Sequence, residues 1–408
     1  MRILKIIPQA FYTARGTPLS AYHRARELVA RGHEVDILTY AVGGAPPAEL
    51  KARVFRARGP HFTRSIQPGP SRLKIWFDVL LFANLLWRLC LRRYDLLYAH
   101  EEGALLAKLA GAIFRVPYVY DMHSSLPLQV TDWKFSRRPS VINAFRWVER
   151  QSVRGACAVV AISPAVGLAA RRACPTTRCV VIVNHFDTSN SASAQEVADL
   201  RGRYGVGPQQ KLVVYTGSFV ALQALDLLLD CIPRVLREVP EAVFLLVGGA
   251  EPEMSELRAY AERLGVSHRV ILERMQPQSA MPAYLAAADV LVSPRTQGIN
   301  PPGKLLPYLA SGRPVVATDT LVHNQILNDR CAILTSPDAA GLAEGIIVAL
   351  TDPTRTAQIL QGASQVVASL CSQSARDAAY ADVLEAANRS RRRRQVQTEQ
   401  ELTSDRRA

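Results

Sequence analysis

The sequence predicts an α/β protein made of two doubly wound layers of parallel strands and helices. Segments typical of strands and of helices alternate along most of the 408 residues. The strands are apolar throughout, which is typical of parallel sheets covered on both faces. A polar stretch at 188–211 interrupts this alternation, which then starts again. We therefore expect two domains of similar size joined by a linker.

The first half predicts one such layer. Strands are predicted at 2–7, 34–40, 94–100, 117–122, 158–163 and near 179–187. Helices are predicted at 20–32, with Ser20 as its cap, and at 73–92, 102–115 and 141–156. The longest apolar run, 75–91, contains Asp78 and Arg88 and is too short to span a bilayer.

The second half repeats the pattern and ends in a polar tail. Strands are predicted at 212–218, 242–249, 269–273 and 289–294, with one more ending at 318. Helices are predicted at 225–240, 254–265, 280–288, 339–350 and 354–388. Residues 389–408 lack the apolar residues needed for a core and are predicted to be a disordered basic tail.

One helix of the second half contains an unexpected proline. A helix that began at Gly303 would hold Pro307 in its interior, where the ring clashes with the preceding turn. Proline is tolerated in the first turn of a helix, where its missing N–H has no partner to lose. We therefore expect the helix to begin only near Leu306, behind an extended loop that runs from Gly298 and carries Lys304.

Charge is distributed unevenly along the chain. The formal net charge is +14, and residues 1–190 alone hold 27 Lys/Arg against 12 Asp/Glu, whereas the remainder is nearly neutral. A basic half favours an anionic partner, either nucleic acid or an acidic membrane surface, with an ordinary solvated surface as the alternative. The seven cysteines form no CxxC pair, which favours a reduced, cytoplasmic setting over a disulfide framework or zinc site.

Candidate site residues follow the predicted strands, because ligands bind beyond the carboxyl ends of the strands in such sheets. In the first half these are His123, the candidate catalytic residue, and His100, each at the end of a strand. Gly16 and Thr17 precede a helix, whose free N–H groups suit an anion. A structural role is the alternative for each histidine.

In the second half, two loops carry candidate ligand-binding residues. They are Gly217, Ser218, Arg295, Gly298, Asn300, Gly303 and Lys304. Glycine lets a backbone approach a ligand closely, and two cations beside a helix start suit a diphosphate. A surface loop with two ordinary charges is the alternative interpretation.

Several classes of enzyme are disfavoured by missing motifs. The sequence has no GxGxxG, GxxxxGK[ST] or GxSxG, which disfavours dinucleotide dehydrogenases, P-loop enzymes and serine hydrolases. The second half has no paired carboxylates or histidines at a strand end, so no metal site is predicted. Charge in the transition state would then be stabilised by cations and helix ends.

The ordered set of segments resembles family 4 of the glycosyltransferases, which have the GT-B fold. The resemblance covers roughly 1–385 and includes "PYVYDMHSS", "YTGSFVALQALDLLLD", "FLLVGGAE" and "ADVLVSPRTQGINPPGKLLPYLASGRPVVAT". It implies two Rossmann-like domains facing a central cleft, with acceptor binding on 1–188 and donor binding on 189–359. It also implies that part of 360–388 packs back on the first domain.

The resemblance implies a reaction and its partners. It implies a retaining, metal-independent transfer of a sugar from a nucleotide diphosphate sugar, the co-substrate, to a glycan or lipid-linked acceptor, with no cofactor. His123 matches the family's histidine near the transferred sugar, and the glycine-rich first loop matches Gly16 loosely. At the domain junction, 184–187 reads Asn-His-Phe-Asp, with histidine in place of the family's glycine.

The sequence departs from the family pattern at four donor-site positions. The arginine and lysine that hold the diphosphate fall on Ser218 and Gln223. The two glutamates of the Glu-x7-Glu pair, which contact the donor sugar and the ribose, fall on Ile299 and Pro307. Two cations and two carboxylates of the family are thus replaced.

Two interpretations of these departures stay open. In the first, which we favour, the chain is a divergent active enzyme in which Arg295 and Lys304 replace the diphosphate cations. In the second it is a catalytically weak or inactive homologue that binds nucleotide sugars or a partner. A nucleotide-sugar epimerase would need carboxylates and histidines that the second half lacks at strand ends. No nucleic-acid module is recognised, so no nucleic-acid partner is expected.

The basic first half suggests where the protein works. The segment 52–75 mixes cations with Phe55, Phe62 and Ile66, which suits peripheral binding to an anionic membrane surface. We therefore expect a cytoplasmic protein that can lie on the inner face of the plasma membrane.

Overall fold

A computed structural model describes residues 1–12, 16–57, 72–132, 136, 138–183, 192–298 and 300–405. The chain forms two compact units. The first comprises Met1–His185 together with Gln373–Ala408, and the second comprises Phe186–Ser372. Each unit is an α/β layer around a parallel sheet, as the sequence predicts.

The described residues of the first unit form a seven-stranded parallel sheet in the order β3-β2-β1-β4-β5-β6-β7. The strands are β1 (Arg2–Ile7), β2 (Glu34–Thr39), β3 (Arg53–Arg56), β4 (Leu96–His100), β5 (Tyr118–Met122), β6 (Ala158–Ala161) and β7 (Cys179–Val181). The edge strand β3 was not predicted, because its sequence is short and basic. Its Arg53 pairs with Asp36 and Glu34 on the neighbouring strand, which compensates for the charge.

Helices cover both faces of this sheet. Before the linker they are α1 (Gly16–Ala30), α2 (Arg72–Leu91), α3 (Gly103–Ile113), α4 (Leu126–Asp132), α5 (Pro139–Gly155) and α6 (Pro164–Ala173). Helices α2, α3, α5 and α6 share one hydrophobic core with the sheet, and α1 packs on the other face. Ser20 was predicted to cap α1, but the helix begins at Gly16 and Ser20 is buried within it.

The second unit has a six-stranded parallel sheet in the order β10-β9-β8-β11-β12-β13. Its strands are β8 (Lys211–Thr216), β9 (Ala242–Gly249), β10 (Val270–Arg274), β11 (Val290–Ser293), β12 (Val315–Thr318) and β13 (Ile333–Thr335). Its helices are α7 (Ala194–Arg203), α8 (Leu225–Glu238), α9 (Glu251–Arg263), α10 (Met281–Ala287), α11 (Leu305–Ala310), α12 (Leu321–Asn324), α13 (Ala339–Thr351) and α14 (Pro353–Leu370). Helix α7 lies in the predicted linker, where Ser193 and Glu196 form a capping box.

Helix α11 begins late, as predicted. It starts at Leu305, one residue before the predicted position, and Pro307 lies in its first turn. Here the missing N–H of proline costs little, because the first-turn N–H groups of a helix have no partner within it. Lys304 is the residue that precedes the helix.

Helix α15 (Gln373–Asp405) returns to the first unit and extends through the predicted disordered tail. The prediction of disorder is wrong for 389–405. Arg391 donates a 2.6 Å hydrogen bond to Asp95, and Arg394 donates to the carbonyl oxygens of Gly111 and Val116 at 2.9 and 3.1 Å. The arginines therefore bind polar groups of the first unit instead of projecting only into solvent. Of the predicted returning segment 360–388, the part from Gln373 onward belongs to the first unit, whereas 360–370 belongs to the second.

The described helices include none that is both long and apolar enough to cross a membrane.

Candidate functional site

The carboxylate of Asp121, at the end of β5, organises a buried polar cluster in the first unit. It accepts hydrogen bonds from Lys5 at 3.1 Å and from Arg24 at 3.4 Å. His100 and His123 approach the same carboxylate at 3.3 and 3.2 Å. All five side chains are at most 4 % exposed. Asp121 was not predicted, because an aspartate inside a strand carries no motif.

Asp121 stays ionised despite its burial. Burial alone raises the pKa of a carboxyl, but the nearby cations Lys5 and Arg24, with the histidines, hold the pKa of Asp121 well below its usual range. An ionised carboxylate only accepts hydrogen bonds. The ring nitrogens that face it, Nδ1 of His100 and Nε2 of His123, must therefore carry the protons.

Both histidines are consequently neutral. Burial lowers the pKa of His100 to about 3, and it also lowers the pKa of His123. Their second ring nitrogens keep a lone pair, and Nε2 of His100 is buried without a partner among the described residues. The ring centroids lie 4.3 Å apart. The structure thus brings together the predicted residues His100 and His123 as two neutral imidazoles fixed by one carboxylate.

Glu101 lies beside this cluster and was not predicted either. Its backbone φ of 48° is a left-handed conformation that residues other than glycine rarely adopt. Ser124 donates to its carboxyl oxygens at 3.1 and 3.0 Å, and Gln129 donates at 3.3 Å. Burial raises the pKa of Glu101 to about 8, so its carboxyl group is largely protonated at neutral pH. The left-handed backbone is the feature that marks Glu101 as a candidate site residue, and it cannot be recognised from the sequence.

The other acceptor-side residues lie at the start of α1. Gly16 is its first residue and Thr17 follows it, half-buried. Their role in binding an acceptor stays a prediction.

In the second unit, Lys304 is a half-buried lysine beside the predicted loop after β8. Its ammonium group lies 3.6 Å from the centre of the Tyr215 ring and donates to Oε1 of Gln223 at 3.2 Å. Gly217 lies against it, because a side chain at that position would reach within 3.5 Å of the ammonium group. Burial, and then the nearby Arg295, lowers the pKa of Lys304 well below its usual value.

Arg295 and Gly298 form a second contact in the loop after β11. The Arg295 Nε donates to the Gln297 carbonyl oxygen at 2.8 Å, and the side chain is 8 % exposed. Gly298 has a φ of 102°, and a Cβ there would overlap the guanidinium group. The loop therefore needs glycine at 298 both for its backbone conformation and for the close approach of Arg295.

His323 holds the loop after β11 in place through hydrogen bonds. It was not predicted from the sequence. Ser293 lies 2.9 Å from its Nε2, and its Nδ1 donates to the Thr318 carbonyl oxygen at 2.8 Å. The Thr318 hydroxyl donates in turn to the Arg295 carbonyl oxygen at 2.6 Å. Burial lowers the pKa of His323 to about 4, so the ring is neutral. This network joins the ends of β11 and β12 to the backbone of Arg295.

The remaining predicted donor residues differ in their surroundings. Ser218 is half-buried, and its carbonyl oxygen accepts from the Tyr215 hydroxyl at 2.9 Å. The side-chain oxygen of Asn300 is buried without a partner among the described residues, which a ligand hydroxyl could satisfy. Gly303 is exposed, and a Cβ there would contact nothing. Ile299 and the junction segment 184–187 lie outside the described residues.

The described residues include one set that could ligate a metal. Donor atoms of His100, Asp121 and His123 lie within 4.8 Å of one another. However, Lys5 and Arg24 already bind the carboxylate, and both would repel a divalent cation. The set is better suited to hydrogen bonding than to metal binding.

Comparisons with known proteins identify the class of this chain. A family model described as Glycosyltransferase Family 4 matches residues 14–190, and one described as Glycosyl transferases group 1 matches residues 210–352. A phosphatidyl-myo-inositol mannosyltransferase of Mycobacterium tuberculosis is 27 % identical over 371 residues, which cover 86 % of this chain and 88 % of that protein. A 2-deoxystreptamine N-acetyl-D-glucosaminyltransferase of Streptomyces fradiae is 25 % identical and covers 76 % of this chain and 75 % of its own length.

Solved structures agree on the fold. The Anabaena protein Alr3699/HepE in complex with UDP-glucose superposes with a TM-score of 0.71 and 22 % identity, over 96 % of this chain and 98 % of that one. WaaG, a glycosyltransferase of lipopolysaccharide biosynthesis, superposes with a TM-score of 0.67 and 18 % identity, over 92 % and 98 %. The likeness confirms the GT-B fold, and because the two family models together span most of the sequence, the chain belongs to family 4 of the glycosyltransferases.

Proposed function

We propose that this glycosyltransferase moves a sugar from a nucleotide diphosphate sugar to a glycan or lipid-linked acceptor, with retention of configuration and without a metal ion. One observation carries the donor part of the proposal. The ammonium group of Lys304 lies at the end of the Gln223 side chain, at the position where the family resemblance expects a diphosphate-binding lysine. A residue distant in sequence supplies the cation that residue 223 lacks.

The chemistry that this arrangement supports is stabilisation of a leaving diphosphate. When the bond from the sugar to the diphosphate breaks, negative charge develops on the diphosphate oxygens. Arg295 is a buried cation, and a diphosphate bound beside Lys304 would favour the charged form of that lysine, whose pKa burial lowers in the free chain. Cations held in such a site stabilise developing charge more strongly than they would in water. Two fixed cations can do this without a divalent ion, which supports metal independence.

His123 is the proposed contact to the transferred sugar. Its Nε2–H is directed to Asp121, so its Nδ1 lone pair can accept a hydrogen bond from a sugar hydroxyl. Asp121 acts as a positioning residue, because it fixes the tautomer and the orientation of the ring. We assign no step in which His123 itself carries a charge, because its burial disfavours the protonated form.

Two observations support a lipid-linked acceptor. One relative is named a phosphatidyl-myo-inositol mannosyltransferase, and residues 1–190 carry the large excess of positive charge. The described part of the predicted membrane segment 52–75 contributes little unpaired positive charge. Arg53 pairs with Asp36, Arg56 donates to the Val42 and Gly44 carbonyl oxygens, and Lys74 pairs with Glu102. Residues 58–71 lie outside the described residues.

The alternative is an inactive homologue that binds nucleotide sugars or a partner. It is not favoured, because the second unit keeps two basic side chains, Arg295 and Lys304, and an Asn300 oxygen without a partner among the described residues where a donor would bind. Pro307, in the position of the ribose-binding glutamate, cannot accept a hydrogen bond through its side chain. Backbone groups of the loop before α11 would have to hold the ribose.

A panel of nucleotides tests the proposal. UDP, GDP and ADP are added to the full chain, and the melting temperature is followed. We expect one nucleoside diphosphate to stabilise the protein, because a ligand that binds only the folded state raises its stability. No shift with any nucleotide would contradict the donor assignment. Binding without sugar hydrolysis or transfer to any acceptor extract would favour the inactive homologue, and the anomeric configuration of a product tests retention.

A further inference from the structure

The outer surface of the helical layer α2–α3–α5 in the first unit exposes large apolar side chains. The tryptophan face, as we name it, comprises Trp76, Val79, Trp87, Leu109, Ile113 and Trp147. They are 68, 55, 65, 47, 64 and 61 % exposed. Tryptophan is highly buried on average, and exposed apolar patches mark surfaces that meet a partner or a membrane.

Helix α2 is apolar on two opposite sides. Phe77, Leu81, Leu85 and Leu89 are at most 6 % exposed and pack on the sheet. Trp76, Val79 and Trp87 are spaced by three and eight residues, so they share one side of the helix, which faces solvent. A helix that only covered the sheet would carry polar residues on that side. The second apolar stripe therefore needs another explanation.

The described charged side chains of α2 are directed elsewhere. Lys74 pairs with Glu102, and Asp78 accepts a hydrogen bond from the Tyr40 hydroxyl. The guanidinium carbon of Arg88 lies 3.4 Å from the centre of the Phe55 ring. The exposed stripe of α2 is thus free of charge along its described length.

The neighbouring helices continue the face and add positive charge. Helix α3, which packs beside α2, contributes Leu109 and Ile113, and α5, which packs beside α3, contributes Trp147. Around Trp147, α5 exposes Arg146, Arg150 and Arg154 at successive turns. No ion pair to a described carboxylate involves these three arginines.

The same helices expose no carboxylate within their described residues. The acidic groups of this layer are Asp78, Glu102 and Glu149, and each is engaged inside the unit. Glu149, for example, is 5 % exposed and accepts from the backbone N–H of Leu126. The described part of this surface is therefore apolar in α2 and α3 and cationic in α5, and its described residues expose no negative charge.

We propose that the tryptophan face docks on an anionic lipid surface. Tryptophan has an apolar ring and a polar N–H, which suits the boundary between headgroups and acyl chains. The arginines of α5 would meet the anionic headgroups, each adding to the attraction. A second copy of the chain fits less well, because a face without carboxylates leaves the arginines of both copies unpaired. The inference deepens the proposed function, because it names the surface on which a lipid-linked acceptor would be reached. Only this link to the acceptor rests on the proposed function; the docking itself does not.

Sedimentation with lipid vesicles tests the proposal. The full chain is mixed with vesicles of phosphatidylcholine alone, or with phosphatidylglycerol added, at low and at high salt. We expect the chain to pellet with the anionic vesicles at low salt and to be released at high salt. Equal binding to neutral vesicles, or no binding to anionic ones, would overturn the proposal.

Two variants of the face and two matched controls locate the binding surface. We expect W76S/W87S and R146Q/R150Q/R154Q each to lower binding to anionic vesicles by about tenfold or more. The apolar control M275S/L321S and the charge-matched control R203Q/R237Q/R258Q alter exposed residues of the second unit and should bind as the unmodified chain does. If both face variants pellet unchanged, the face is not the binding surface.

Two further measurements separate the alternatives. If the unmodified chain elutes as a dimer and W76S/W87S elutes as a monomer, the face joins two copies and the lipid proposal is wrong. The nucleotide-induced shift in melting temperature is measured on the same variants. Loss of vesicle binding with the nucleotide shift retained supports the face and shows that the variants fold. Vesicle binding without any nucleotide shift would instead contradict the donor assignment alone.

Discussion

The ammonium group of Lys304 donates a 3.2 Å hydrogen bond to the side-chain oxygen of Gln223, although 81 residues separate the two in sequence. Lys304 directly precedes α11, and Gln223 ends a short 3₁₀ turn in the connection between β8 and α8. We therefore propose that Lys304 takes the place of the lysine that the family pattern expects at 223. The late start of α11 allows this contact, because it leaves residue 304 in the loop that directly precedes the helix.

Replacing His123 should impair turnover without affecting the donor unit. We expect H123Q to lower the transfer rate by about 10²-fold or more, because the imidazole that faces the sugar is lost. The nucleotide-induced shift in melting temperature should stay as in the unmodified chain. Rates are measured by release of the nucleoside diphosphate. An unchanged rate would exclude His123 from the reaction.

Replacing Asp121 should destabilise the first unit. D121N removes the charge that compensates Lys5 and Arg24, and an uncompensated buried charge costs about 3–5 kcal/mol. Urea unfolding followed by tryptophan fluorescence measures the loss, since the described tryptophans lie in this unit. The control E344Q changes a carboxylate that is 71 % exposed and should shift the midpoint little. Equal midpoints for both variants would contradict the account of the cluster.

Glu101 should make stability depend on pH. Its pKa is raised from 4.5 to about 8 in the folded chain, so its folded state is favoured when the carboxyl group is protonated. This stabilisation is complete below about pH 4.5 and is lost as the pH rises towards 8. The melting temperature of the unmodified chain should therefore fall more between pH 6 and 8.5 than that of E101Q. Parallel curves for the two proteins would show that Glu101 is ionised throughout.

Gly298 should be required for donor binding. G298A places a Cβ against the Arg295 guanidinium group and also demands a φ of 102°, so either Arg295 or the loop must move. We expect the affinity for the nucleoside diphosphate to fall by about tenfold, measured by calorimetry, because one charge-assisted contact is worth about 1.5–3 kcal/mol. The control G202A lies in α7, where a Cβ contacts nothing. Equal affinities would place Arg295 outside the donor site.

Much of the fold could be predicted from the sequence because its strands are long apolar runs and its helices are periodic. The parallel sheets, most strands and the late start of α11 follow from these local patterns. The edge strand β3 and the final turns of α15 could not be predicted in this way. Their polar residues are stabilised by partners far away in sequence, as Arg391 is by Asp95.

The candidate site was predicted less completely. His100 and His123 were identified because they follow strands, and Lys304 and Arg295 because they flank a helix start. Asp121 and Glu101 could not be identified, since their importance lies in burial and in backbone conformation. His323 acts through hydrogen bonds to Thr318 and Ser293, which only the tertiary structure brings together.

A charge swap between positions 304 and 223, followed by calorimetric titration with the nucleoside diphosphate that stabilises the chain, tests the central claim most directly. K304Q should lower the affinity by about tenfold or more, because a desolvated cation on the diphosphate is lost. Adding Q223K to that variant should restore most of the affinity, since the ammonium group returns to the same place from the other loop. Full affinity of K304Q, or no recovery in the double variant, would contradict the account.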